Sequence, residues 1–485
     1  MLQRTRFWIR RLALLLLLFV IALLALRVAL SERGPALQPW HTWLPEELSD
    51  SQMDRTDWAG YLRNERRIFA EMKRNVSDKL PESSAETYNR YAEKSPVYPA
   101  RFATDWNHSY ELLPQGEPRG AVVLLHGLTD SPYSLRHFAA DYQQQGYVVV
   151  AIRLPGHGTV PASLTQTEWE DWLAATRLAV REARQRIPAE APLQIMGFSN
   201  GGALAMKYTL DALEDPALPE PDRLILISPM IGVSSYARYA GLAGLPSLLP
   251  AFARSAWLGI LPEFNPFKYN SFPVKAARQS WLLTSALQSQ LHRDQASRLL
   301  DKLPPVLTFQ SVADATVSTP AVVRGLYNLL PANGSELVLF DVNRSVRLSP
   351  LMRPTALHAM DTLLPPPPRS YAVTLVTNAT PTSNSVVART TPAGSVRAVS
   401  VPLGISYPAD VYSLSHVALP FPLSDSLYGR LPDHPNEFGV SFGALTPRGE
   451  RGVLMVSLDM LMRQASNPFW PLMQQRVNQT LQQAE

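Results

Sequence analysis

The stretch Gly197-Phe198-Ser199-Asn200-Gly201-Gly202 places a hydroxyl between an apolar run, Leu193 to Met196, and a small-residue helical stretch, Ala203 to Met206. The spacing is G-x-S-x-G. A serine between a strand and a helix sits on a tight turn, and glycines two before and two after let the flanking backbones approach closely enough for that turn to form. Its Oγ then stands at a helix N-terminus, where backbone N–H groups and the helix dipole favour developing negative charge. That setting suits a nucleophile. A serine nucleophile also needs a base within hydrogen-bond reach and an acid to orient the base, and both can lie far away in sequence.

Asp314, in Val312-Ala313-Asp314-Ala315-Thr316-Val317, follows the apolar run Val306 to Gln310. The C-terminal end of a strand is where an open α/β sheet places its site, which makes Asp314 the expected acid. Three histidines follow it: His358, His416 and His434. His416 ends the strand-like run Val411 to Ser415 and is the favoured base. His358 lies in a stretch that reads as a helical insertion with a partly buried structural role, and His434 in a solvated turn, Leu431 to Pro435; both stay open as alternatives. An oxyanion needs two converging N–H donors. Asn200, just after the serine, and Leu128, in His126-Gly127-Leu128-Thr129-Asp130, are expected to supply them. His126, and His157 in Pro155-Gly156-His157-Gly158, read as loop-holding residues.

The elements that must position these groups alternate as strand, loop and helix. Trp106 to Leu112, Ala121 to Leu125, Tyr147 to Ile152, Leu193 to Met196, Arg223 to Ile227, Val306 to Gln310 and Glu336 to Val342 read as strands. Between them, Tyr133 to Gln145, Glu168 to Ile187 and Ala321 to Leu330 read as helices. Such alternation predicts an α/β fold, a mostly parallel sheet covered by helices on both faces. The alternation breaks after Ser228-Pro229 for about seventy residues rich in Leu, Ala and aromatics, which read as a packing layer or as a cap over an apolar pocket.

Composition narrows the function. The chain has 485 residues, a formal net charge of +4 and no cysteine. Disulfides, thiolate metal sites and a cysteine nucleophile are excluded, and the lack of a dense basic run beyond the N-terminus argues against nucleic acid. Arg4, Arg6, Arg10 and Arg11 precede an apolar run from Leu12 to Leu26. A basic flank before a greasy helix places the N-terminus in the cytoplasm and the rest across the membrane. No good small-x-small cleavage site follows, so an uncleaved inner-membrane anchor is expected, with a cleaved signal and a free periplasmic protein as the alternative.

Together, HGLTDSP (His126 to Pro132), RLPGHG (Arg153 to Gly158), GFSNGG (Gly197 to Gly202), VADATV (Val312 to Val317) and SHV (Ser415 to Val417) resemble the α/β-hydrolase fold. Within it, the chain is most similar to the carboxylesterase and monoacylglycerol lipase branch of serine hydrolases. The resemblance implies Ser199 as nucleophile, His416 as base, Asp314 as orienting acid, Leu128 and Asn200 as oxyanion donors, and a cap over the acyl site from about Gly232 to Leu303. Two departures stand out. Asn200 occupies a position where relatives often carry an apolar residue, and about one hundred residues separate Asp314 from His416.

The expected organisation is a membrane anchor or signal over 1–34, a helical flank over 35–100, a hydrolase core over 101–232 and 304–343, a helical cap insertion over 233–303, a late β-rich insertion over 344–410, and the histidine loop with C-terminal helices over 411–485. The expected function is a serine ester hydrolase cleaving hydrophobic acyl or lipid esters through an acyl-enzyme, facing the periplasm, with no cofactor or metal required. A peptidase on the same fold and a non-catalytic scaffold are the alternatives.

Overall fold

The computed structural model describes residues 2–81, 88–232, 240–345, 358–408, 411–443 and 466–482. Ten strands form one sheet: β1 (Tyr110–Leu112), β2 (Gly120–Leu125), β3 (Tyr147–Ile152), β4 (Leu193–Phe198), β5 (Arg223–Ile227), β8 (Val306–Ser311), β9 (Glu336–Phe340), β10 (Ala372–Asn378), β11 (Ser385–Thr391) and β12 (Val399–Ser406). A separate antiparallel ribbon joins β6 (Trp257–Gly259) and β7 (Phe272–Pro273). The spatial order of the large sheet is β1-β3-β2-β4-β5-β8-β9-β10-β11-β12. Every pairing from β3 through β10 is parallel, and antiparallel partners close both edges.

The central strands are buried along their whole length because both faces are covered. Val123, Leu125, Val148 and Val150 point to one core, which contains Trp172, Leu178, Leu204 and Leu287 from α4 (Trp169–Gln185), α5 (Asn200–Glu214) and α6 (Val274–Ala296). Their neighbours Val122, Leu124 and Val149 point to the other, with Phe138 and Tyr142 of α3 (Arg136–Gln144) and Trp470 and Met473 of α8 (Trp470–Gln482). The period-two alternation of Cβ directions sorts one strand between two cores.

Several expected elements differ. The β-rich stretch within 344–410 builds onto the core sheet: β10 pairs in parallel with β9, from Ala372 opposite Glu336 to Val376 opposite Phe340, and β11 and β12 extend the sheet further. The run 411–415 is no strand. Its carbonyls at Val411 and Tyr412 are bound by Asn343 Nδ2 (2.9 Å) and Asn343 N (2.8 Å), and a 3-10 turn, His416–Ala418, follows. The strand expected from Trp106 shrinks to β1, and the helix expected from Tyr133 begins as a 3-10 turn, Pro132–Leu135. The helix expected over Ala321 to Leu330 is α7 (Thr319–Gly325) followed by a 3-10 turn, Tyr327–Leu329. Within the expected cap, 233–239, which carry Tyr236 and Tyr239, lie outside the described residues, as do 346–357, 409–410 and the first half of the C-terminal helical pattern up to 465.

The flank is packed on the domain. Helix α2 (Trp58–Asn75) buries Trp58, Tyr61 and Ile68. Arg153, at the end of β3 and fully buried, donates Nη1 and Nη2 to Glu47 at 2.7 and 2.9 Å and Nε to Glu65 at 3.1 Å. Upstream, Trp40 stacks on Tyr91 with ring centroids 5.0 Å apart, and His41 Nε2 lies 3.0 Å from Ser271 Oγ. The N-terminal helix α1 (Leu2–Glu32) is long and apolar enough over Phe7–Glu32 to cross a membrane, and that span is not buried in the protein. The helix runs through Arg27, past the limit of the unbroken apolar run.

Candidate active site

Ser199 ends β4 and begins α5 with φ +54° and ψ −112°, a region that L-residues rarely occupy. The turn is held by Ser199 N donating to Ile227 O (3.0 Å) and Met230 N donating to Ser199 O (2.9 Å). The surrounding glycines are sterically required. A Cβ on Gly197 would come within 2.3 Å of Gly201 O, one on Gly201 within 2.0 Å of Leu125 O, and one on Gly202 within 2.7 Å of Pro229 Cβ. Strained backbone of this kind persists only where the neighbouring structure over-determines it. Ser199 keeps a small accessible surface, 7%.

His416 lies against this turn. Its ring stacks on Phe198, the residue before the serine, with centroids 5.1 Å apart and an interplanar angle of 30°. Its Nδ1 is 2.9 Å from Asp314 Oδ2, and both side chains are almost or wholly inaccessible to solvent. The carboxylate is held on every side. Thr316 N and Val317 N donate to Oδ1 at 2.8 and 3.0 Å, and Ser228 Oγ and Gln310 Nε2 donate to Oδ2 at 2.9 and 3.2 Å. Burial alone would raise the Asp314 pKa, but the facing His416 charge, its hydrogen bond and the two loop N–H groups outweigh it and hold the carboxyl below its usual value. Asp314 is therefore ionised at neutral pH. A histidine whose Nδ1–H is given to a fixed carboxylate presents Nε2 as a proton acceptor.

The other expected residues fall as follows. Gly127 packs on the serine turn: a Cβ there would meet Phe198 Cδ1 at 3.2 Å and Ser199 Cβ at 3.3 Å. The loop carrying Leu128 thus abuts Ser199. Asn200 is the first residue of α5, where helix geometry leaves backbone N–H groups without intrahelical acceptors. Its side chain is fully buried, and neither amide atom has a hydrogen-bond partner. His126 accepts from Leu154 N at Nε2 (3.0 Å) and reaches Gly127 O from Nδ1 (2.9 Å), so it ties the Leu128 loop to the end of β3. His157 Nδ1 reaches Pro155 O at 3.1 Å. Burial pushes both rings down, His157 to about 3, so both are neutral.

His358 does not have the partly buried role expected of it. It is exposed before a short helix, Ala359–Leu363, and pairs with Asp361 at 2.9 Å. His434 is exposed, as its turn sequence suggests.

Sequence reasoning missed the groups that hold the pair in place. Ser228 and Gln310 sit at the ends of β5 and β8, so their polar side chains in apolar strands were the available signal. Ser311 Oγ donates to Leu414 O at 2.8 Å, pinning the backbone two residues before His416. Downstream of it, buried Asp425 accepts from Tyr133 OH (3.0 Å), Leu427 N (2.9 Å) and Tyr428 N (2.7 Å), is 2.8 Å from His137 Nε2, and pairs with Arg136. The histidine segment is thereby clamped to the residues that follow the Leu128 loop.

Comparison with known proteins finds similarity over the core of the chain. The hydrolase family described as serine aminopeptidase, S33, matches residues 116–341, a range that holds Ser199 and Asp314 and stops before His416. A thermostable monoacylglycerol lipase from Bacillus sp. (strain H-257) is 27% identical over 194 residues, covering 39% of this chain and 73% of that protein. Among solved structures, one from the study of the metagenome-derived lipolytic enzymes LipS and LipT is 25% identical with a TM-score of 0.39, covering 49% of this chain and 88% of that one. A soluble variant of monoglyceride lipase from Saccharomyces cerevisiae, bound to a substrate analog, is 16% identical with a TM-score of 0.38, covering 48% of this chain and 81% of that one. The strand order and the serine turn are those of an α/β-hydrolase fold, and the core over residues 116–341 is similar to a serine hydrolase family and, over 194 residues, to a monoacylglycerol lipase.

Proposed function

We propose that this protein is a membrane-anchored serine hydrolase that cleaves hydrophobic carboxylic esters through an acyl-enzyme. Ser199 Oγ attacks the ester carbonyl, and His416 Nε2 takes its proton and returns it to the leaving alcohol. Asp314 fixes the imidazole tautomer and stabilises the imidazolium, and the N–H groups of Leu128 and Asn200 receive the oxyanion. Water activated by His416 then releases the acid and restores Ser199. The observation that carries this reading is the pairing of His416 with ionised Asp314 directly against the positive-φ turn of Ser199. A monoacylglycerol-like ester fits the likeness to the Bacillus lipase, and an apolar N-terminal helix fits a substrate drawn from a membrane, with the domain on the periplasmic side.

The S33 family description raises a second reading, an aminopeptidase. Such an enzyme needs free acidic groups for a substrate ammonium. Of the two buried acids of the expected cap, Glu263 accepts from Asn270 N (2.9 Å) and Ser271 N (2.8 Å) and Asp294 faces Arg293 at 3.7 Å, so each already has a partner within the protein, which favours the esterase. The test compares monoacylglycerol and p-nitrophenyl ester turnover with prolyl-naphthylamide turnover, and adds labelling by a fluorophosphonate probe. Ester turnover equal in the wild type and Ser199→Ala would overturn the mechanism. Prolyl-amide turnover exceeding ester turnover would favour the peptidase, and absence of labelling would favour a scaffold.

A further inference from the structure

Along α1, the side chains from Phe7 to Leu23 are exposed on every side of the helix, but Leu24, Arg27, Val28 and Ser31 are half-buried. Those four positions form an i, i+3, i+4, i+7 stripe, the face that one side of a helix presents to a neighbour. The neighbour is the segment 240–260. Arg27 Nη2 donates to Trp257 O, and Arg254 Nη1 donates to Glu32 O at 2.7 Å and pairs with the Glu32 carboxylate at 3.2 Å. The cation that interrupts the apolar helix is thus bonded to a carbonyl of this segment.

The segment itself has a composition unusual for a water-facing surface. Within 240–260, Arg254 is the single charged residue, and it is paired with Glu32. Leu242, Leu245, Leu248, Leu249 and Leu258 are all exposed, Leu248 to 79%. Clustered exposed leucines mark an interaction surface, whereas scattered ones do not. What covers them follows from what they adjoin. They flank the end of a helix that is apolar all round, a composition that requires hydrocarbon. Arg27 lies five residues before Glu32, about 7.5 Å along the axis at 1.5 Å per residue, so the segment meets the helix at the depth to which interfacial apolar surfaces sink into a bilayer, about 5–10 Å.

We infer that the leucine surface of residues 242–258 is a second membrane contact, seated in the headgroup and upper acyl region beside the C-terminal turns of α1, so that this side of the domain is held against the lipid. The inference rests on the anchoring proposed above. The guanidinium of Arg27 is shielded by the Trp257 carbonyl at the boundary, and the Arg254–Glu32 pair marks the water side.

The absence of cysteine makes the test direct. Single-cysteine variants of the full chain, Leu248→Cys, Leu16→Cys and Val399→Cys, are labelled with an environment-sensitive fluorophore and reconstituted in phosphatidylethanolamine/phosphatidylglycerol vesicles. The vesicles carry a doxyl quencher either near the headgroup or at mid-chain. The expected result is loss of Leu248 fluorescence with the shallow quencher, loss of Leu16 fluorescence with the deep one, and an unchanged signal at Val399, on the far edge strand. Quenching at Leu16 without quenching at Leu248 overturns this inference and leaves the anchor intact. Quenching at neither overturns both.

Discussion

His416 Nδ1 lies 2.9 Å from Asp314 Oδ2 across a separation of 102 residues, and the intervening chain adds four strands, β9 to β12, to the sheet before it returns. If this pair activates Ser199, Asp314→Asn leaves the geometry but lets the imidazole adopt the wrong tautomer, and kcat falls by roughly 10⁴. His416→Ala falls at least as far. His358→Ala and His434→Ala keep wild-type turnover, because both residues are exposed and Asp314 is paired with His416. Steady-state kinetics on a p-nitrophenyl ester decide it.

Ser228 donates to the same Asp314 oxygen that faces His416. Hydrogen bonds to charged groups contribute about 1.5–3 kcal/mol, which corresponds to roughly ten- to hundredfold in rate. Ser228→Ala is expected to lower kcat by about tenfold with KM unchanged and to shift the pH profile of kcat. A change in KM alone would place Ser228 in substrate binding instead.

At Gly201 a methyl group would meet Leu125 O at 2.0 Å, a backbone atom of β2 that cannot yield without moving the sheet. Gly201→Ala is expected to cost about 3 kcal/mol or more, at or beyond the upper end for overpacking. Gly259→Ala, where a Cβ meets nothing within 4 Å, is expected to stay within about 0.5 kcal/mol. Urea denaturation of the two variants beside the wild type gives the contrast.

Stability should fall on mild acidification. His126 and His157 are neutral in the fold because burial holds their pKa values far below that of a free histidine. Below about pH 6.5 the unfolded chain takes up protons that the folded chain refuses, so each ring costs about 1.4 kcal/mol of stability per pH unit until its folded pKa, about 3 for His157, is reached. His157→Gln is expected to reduce that slope by about one such increment, read from urea midpoints between about pH 4 and 6.

The central part of the sheet, β2 to β5, was legible because its strands are mostly apolar and punctuated by turn residues, a pattern that burial on both faces imposes. The serine turn was legible because three of its glycines have no room for a side chain. The joining of β10 to β9 was not, since a strand pairing is a relation between distant segments and Ala372 to Asn378 looks the same in an insertion as in a core. His416 could be favoured but not fixed from sequence. What selects it are the bond from Ser311 Oγ to Leu414 O and the clamp around Asp425, and both are tertiary contacts.

The packed flank determines how much reach the domain has. Between Glu32, where α1 ends, and Glu47, bound to buried Arg153, lie only residues 33–46, and within them Trp40 and His41 are already fixed to Tyr91 and Ser271. If α1 lies in a bilayer, as proposed, the free length of this tether is short, because Trp40 is only eight residues past Glu32. The domain would then be held close to the lipid, at a distance that this packed segment limits.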